Sequence, residues 1–130
     1  MYKRRKRRVA TIEVLRRWLR YWQKALSLQD WEIVVKVCAP DDMDNKEVQG
    51  EVEYQAHKKA AVVRLLDPRD YPPNPSWPQD MERTLVHELV HLHFAEKTTD
   101  EKLTGPVFDL VEERVVNATS QALVDLRRSI

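Results

Sequence analysis

The segment His87-Glu88-Leu89-Val90-His91, set inside the apolar run from Leu85 to Phe94, limits what this chain can fold into more than any other stretch. Two imidazoles four residues apart share a face when the segment is helical, and there they can meet one metal ion. Glu88 then stands beside the ion. Neutral imidazoles are zinc ligands, and an adjacent carboxylate can take a proton from a zinc-bound water. Two histidines do not close a site, so the fold must bring a third ligand from elsewhere.

The flanking sequence supports a helix. Asp67 to Pro78 holds five of the seven prolines, which fix φ and restrict the preceding residue, so a stiff extended connection is expected there. Ser76 and Gln79 have the spacing of a capping box, Pro78 suits a first helical turn, and Asp80 and Glu82 complement the helix dipole. A helix from about Trp77 to Ala95 is predicted, with the histidine motif in its second half.

Upstream, Ile12, Leu15, Leu19, Trp22 and Leu26 recur at helical spacing and predict a scaffold helix over about Val9 to Leu28. Trp31 to Cys38 is rich in β-branched residues and reads as a strand ended by Ala39-Pro40. Asp41 to Glu47 is acidic, but Glu47 stands where a calcium loop needs glycine, so a solvated connection is expected. Gly50 opens a second extended stretch to His57, alternating Val52, Tyr54 and Ala56 with polar residues. Lys58-Lys59 forms a turn, and Ala60 to Leu66 is a third, more buried strand.

Gly105-Pro106 marks the start of a last helix running to about Arg128. On a helical wheel Phe108, Val111, Val115, Ala118, Ala122, Leu123 and Leu126 gather on one side, which is expected to face the core. Glu112 falls inside that arc and Glu113 outside it. A carboxylate on a buried face needs a compensating charge, and a zinc ion would supply one. Glu112 is therefore the expected third ligand, with Glu113 as the alternative. His93 is too near His91 to share its face and suits a helix end or a position behind the ligands. His57 reads as exposed and Cys38 as packing.

A single cysteine excludes an internal disulfide and any multi-cysteine zinc cluster, and fits a reducing compartment. No apolar run is long enough to span a bilayer, and arginines interrupt the N-terminal region, so a cytoplasmic protein without a signal peptide is expected. The net charge of +1 conceals a division. Six of the 22 basic residues, Lys3, Arg4, Arg5, Lys6, Arg7 and Arg8, lie together, leaving 16 against 21 acidic residues. Residues 1–8 read as a basic disordered arm that could contact nucleic acid by neutralising phosphates. Residues 9–130 read as one domain.

His87-Glu88-Leu89-Val90-His91, followed by a glutamate on the next helix, resembles the gluzincin metallopeptidases. The region Glu112 to Leu123 is similar to the ligand helix of the ImmA/IrrE type metallopeptidases, although the asparagine and phenylalanine usual there are missing, which leaves Glu112 and Glu113 both open. The order of an N-terminal helix ending in Tyr21-Trp22-Gln23 and Leu28-Gln29-Asp30-Trp31, then strands, then the motif, looks like small zincin-like metallopeptidases of phages and mobile elements. SprT-like proteases share the layout but take a third histidine downstream, and this chain has none after His93. The resemblance implies an α+β minimal zincin-like domain. It would comprise an N-terminal helix, a small three-stranded and mostly antiparallel sheet, an active-site helix and a C-terminal ligand helix.

The expected chemistry is zinc-assisted hydrolysis of a peptide or protein substrate. Glu88 would be the general base, and Tyr54, Tyr71, His57 or His93 the donor to the transition state. By resemblance, the segment 50–57 or 60–66 would align the peptide as an added strand. The alternative expectation is a zinc-containing, nucleic-acid-associated regulator without proteolytic activity, using Lys3 to Arg8 for contact. An intact Glu88 speaks against that alternative, since a structural zinc site has no need of a base.

Overall fold

The computed structural model describes residues 6–45, 48–73 and 76–130. Helix α1, Ile12–Ala25, begins at Thr11, whose hydroxyl accepts from Val14 N, and buries Leu15, Leu19 and Trp22. Strands β1, Glu32–Cys38, β2, Gly50–Gln55, and β3, Ala60–Leu66, form one sheet in the order β1-β3-β2. Helix α2, Met81–His91, carries the histidine motif, and α3, Pro106–Arg128, closes the chain. The α+β class and the element order are those expected from sequence.

The sheet is mixed. β2 and β3 form the antiparallel hairpin, turning through a short 3-10 segment and Lys59, which takes a left-handed conformation at φ 49°. β1 instead pairs with β3 in parallel, Val35 opposite Val63, so mostly antiparallel pairing holds for the hairpin alone. β1 and β2 lie on opposite sides of β3. β3 sits in the middle, which accounts for its more continuous apolar run.

Ile33, Val35 and Val37, Ala61, Val63 and Leu65, and Val52 and Tyr54 line one face of the sheet, against which α1 and α2 pack. On the other face Arg64 bonds Glu53 at 2.8 Å and Glu51 at 3.4 Å. α2 therefore lies between the sheet and α3, and Leu85, Val86 and Leu89 are fully buried. Gly50 permits the close approach of β2 to α2. A Cβ there would meet Thr84 Cγ2 at 2.5 Å.

Three expectations change. α2 starts at Met81, capped by Asp80, whose carboxylate accepts from Arg83 N, so Ser76 is not its cap. Gln79 is buried and donates to Leu66 O instead of closing a capping box. After His91 the chain tightens into a 3-10 segment, Leu92–Thr99, so the α-helix is shorter at both ends.

The apolar arc expected to face the core from α3 is largely solvent-exposed at Phe108, Val111, Val115, Ala118, Ala122 and Leu126. The inward line is Glu112, Val116, Ser120 and Val124, one residue every fourth position. Hydrophobicity alone misplaces the helix because Glu112 on that line finds partners inside and Ser120 bonds the Asn117 carbonyl of its own helix.

The arm also begins the fold earlier than residue 9. Arg8 bridges to the start of α2, its N–H donating to Gln79 O and its carbonyl accepting from Met81 N, each at 2.8 Å. Lys3, Arg4 and Arg5 lie outside the described residues. Among those described, no helix is long and apolar enough to cross a membrane.

Candidate metal centre

The second half of α2 presents His87 and His91 toward α3 with their Nε2 atoms 3.2 Å apart. From α3, Glu113 reaches both rings. Its Oε1 is 2.9 Å from His91 Nε2 and its Oε2 is 3.5 Å from His87 Nε2. Tetrahedral coordination at bonds of about 2.0–2.1 Å separates ligand atoms by about 3.3 Å. The separation of the two Nε2 atoms is close to that value and Glu113 turns one oxygen to each ring, so His87, His91 and Glu113 form a group that could hold one metal ion.

Glu112 does something else. Its Oε2 lies 2.5 Å from His91 Nδ1, on the opposite side of the ring from Nε2, and its Oε1 pairs with Lys97. Lys97 comes from the 3-10 segment after α2 and also bonds Asp109 at 3.1 Å. The buried carboxylate is thus compensated by Lys97 and lies against the His91 ring. Among the described residues Glu113, the alternative named from sequence, joins His87 and His91 in a group that could hold a metal ion, while Glu112, the first choice, lies against Nδ1 of His91. The wheel found the more buried glutamate correctly, and that glutamate is the one held by Lys97 and His91 Nδ1. A ligand must border the open side of a site.

Glu88 is almost fully buried beneath the histidines, and its Oε2 has no hydrogen-bond partner. Burial is the main reason its pKa is pushed up to about 7, with the charges of Glu113 and Glu51 also raising it and His91 opposing. Burial, and then His91, hold the pKa of His87 below its ordinary value, which favours the neutral ring that binds metal. An unpartnered buried carboxylate next to two imidazoles and a second carboxylate is a donor set that fits a divalent cation.

A cleft of ≈ 600 Å³ opens beside His87, Glu88 and Glu113. Of the four expected donors, Tyr71 lines it, donating to Trp77 O at 2.6 Å and accepting from Gln49 Nε2 at 3.1 Å. Tyr54 packs edge-on against Trp31 at 6.4 Å. Burial first, and then the charge of Glu112, raise its pKa, so its phenol stays protonated. His57 and His93 are exposed, in the turn after β2 and in the segment after α2. Lys6 lines the cleft, and with Arg8 bound to α2 the described part of the arm belongs to this domain.

Sequence reasoning did not find Lys97 or the clamp that fixes α3. Glu82 of α2 accepts from Trp22 Nε1 at 2.9 Å and pairs with Arg127 at 3.0 Å and Arg128 at 3.2 Å. Arg128 also grips Asp80 with two bonds, at 2.6 and 2.9 Å. All three helices meet at these charges, which set where Glu113 falls along α2. The signal available was an arginine pair four turns beyond Glu113, and it carries no partner information by itself. Comparisons with protein-family models, curated proteins and solved structures gave no match, so the reading of this centre rests on its geometry.

Proposed function

We propose that this chain is a zinc-dependent metallopeptidase with His87, His91 and Glu113 as ligands and Glu88 as general base. The observation that carries the reading is the convergence of two Nε2 atoms and the Glu113 carboxylate within 3.5 Å, beside the unpartnered carboxylate of Glu88. When bound, zinc would polarise a scissile carbonyl and lower the pKa of a water toward about 7.

The chain's own groups supply the rest. Glu88, with a pKa near the operating range of a general base, takes the proton of the attacking water and returns it to the leaving amine. Glu112 accepts from His91 Nδ1–H and so fixes the tautomer that leaves Nε2 free to ligate, while Lys97 holds Glu112.

β2 supports a role in aligning substrate. Leu66 N donates to Gln49 O, so in the alternating pattern Glu51, Glu53 and Gln55 direct their backbone groups to β3. Gly50, Val52 and Tyr54 then direct theirs to the outer edge, which pairs with no strand among the described residues. An extended peptide can add there and pass across Glu88. Glu88→Gln should keep its zinc and lose peptide cleavage by at least about a hundredfold. An equally active variant contradicts the assignment.

A further inference from the structure

We infer that α3 pairs with α3 of a second copy of this chain, the two helices running antiparallel. The inference does not depend on the peptidase reading. Phe108, Val111, Val115, Ala118, Ala122 and Leu126 are exposed, and at about 100° per residue they fall within an arc of about 80°. No polar residue interrupts that arc over its length of about 27 Å. A contiguous apolar stripe marks an interaction surface where scattered apolar residues would not. It lies about 135° around α3 from the buried line through Val116 and Ser120 and nearly opposite Glu113, so pairing leaves the metal centre and its cleft open.

The stripe is complementary to itself when reversed. Val111 and Ala122 are eleven residues apart, as are Val115 and Leu126, and an eleven-residue repeat keeps a stripe close to the direction of the helix axis. Turning the helix end for end about Ala118 and Thr119 sets Val111 against Leu126 of the partner copy and Val115 against its Ala122. Ala118 then falls at the centre of the contact, where a small side chain lets the axes approach to about 8 Å. Phe108 closes each end.

Charge selects the same arrangement. Arg114 and Asp125, also eleven residues apart, are exposed on one flank of the stripe, and neither side chain forms an ion pair among the described residues. A two-fold axis between antiparallel helices brings like flanks together, so the reversal carries Arg114 to within about 3 Å, along the axis, of Asp125 of the partner copy. Each dimer holds two such pairs. Parallel helices would set this flank against the other one, where Thr119 and Leu123 carry no charge and Glu112 is already held by Lys97. Two 23-residue helices, each about 34 Å long, together bury about 1,000 Å², the lower bound of a specific interface, so the dimer is expected to be reversible.

Sedimentation velocity of the full chain from about 1 to about 300 μM measures the pairing, and the average mass should rise toward that of two chains across this range. Arg114→Glu and Asp125→Arg should each raise the dimer Kd about tenfold, because each sets like charges side by side twice per dimer. The double variant exchanges the two charges and should return to within about threefold of the wild type. Val115→Lys, at an exposed position, should abolish association while circular dichroism and urea unfolding stay unchanged. A wild type that is monomeric throughout, a dimer that survives Val115→Lys, or single variants whose loss the double variant does not restore would each overturn the inference. A monomer that instead floats with phosphatidylcholine vesicles assigns the stripe to a lipid surface and overturns it as well.

Discussion

Oε2 of Glu112 lies 2.5 Å from Nδ1 of His91, while Nε2 of the same ring faces Glu113 and His87. One imidazole is thus held by a carboxylate on one side and turned on the other toward the group that could hold a metal ion. Glu112→Gln should weaken zinc binding by about 10–100-fold without abolishing it. Competition with a chromophoric chelator measures this, and unchanged affinity would remove Glu112 from the support of His91.

Glu88 makes the metal-free protein sensitive to pH. The folded state holds its proton up to about pH 7, whereas the ordinary value is 4.5. Rising pH through that window therefore favours the unfolded chain, and the stability present below the lower value is lost by the upper one. Glu88→Gln cannot ionise. In excess chelator it should match the wild type near the lower value and exceed it by about 3 kcal/mol above the upper one. Urea unfolding across that range decides it, and a gap that does not grow with pH contradicts it.

The clamp at Glu82 predicts a stability effect away from the centre. Glu82→Ala leaves Arg127, Arg128 and the Trp22 indole without this acceptor, and should cost about 3–5 kcal/mol in urea unfolding. Since α3 carries Glu113, zinc affinity should fall in the same variant. Wild-type affinity would separate the clamp from the centre.

Gly50 and Thr84 should be coupled. Gly50→Ala brings a Cβ to 2.5 Å from Thr84 Cγ2 and is expected to cost about 1–3 kcal/mol. Thr84→Ser removes that methyl and keeps the hydroxyl that donates to Asp80 O. A double-mutant cycle should return most of the loss, and purely additive effects would mean that β2 is not held against α2 at this point.

Much of the architecture was legible because periodicity and punctuation agreed. Ala60 to Leu66 and Pro106 to Arg128 fall within the expected bounds, and Gly105, at φ 120°, takes a conformation that favours glycine just before Pro106. The start of α2 was not legible, since Ser76 and Asp80 both offer caps and the choice is made by Arg8 and Arg128, which arrive from the two ends of the chain. His87, Glu88 and His91 could be named from spacing because one helix turn brings them together. The choice between Glu112 and Glu113 could not. It depends on the rotation of α3 about its axis, set by Glu82 and by the line Val116, Ser120 and Val124 rather than by the most apolar arc.

The most direct test of the centre is the zinc content of purified wild type beside Glu113→Ala and Glu112→Ala, by elemental mass spectrometry after dialysis against a weak chelator. One zinc per chain is expected in the wild type, a reduced but measurable content in Glu112→Ala, and none in Glu113→Ala. A wild type without zinc, or a Glu113→Ala variant that keeps a full equivalent while Glu112→Ala loses it, would contradict the assignment.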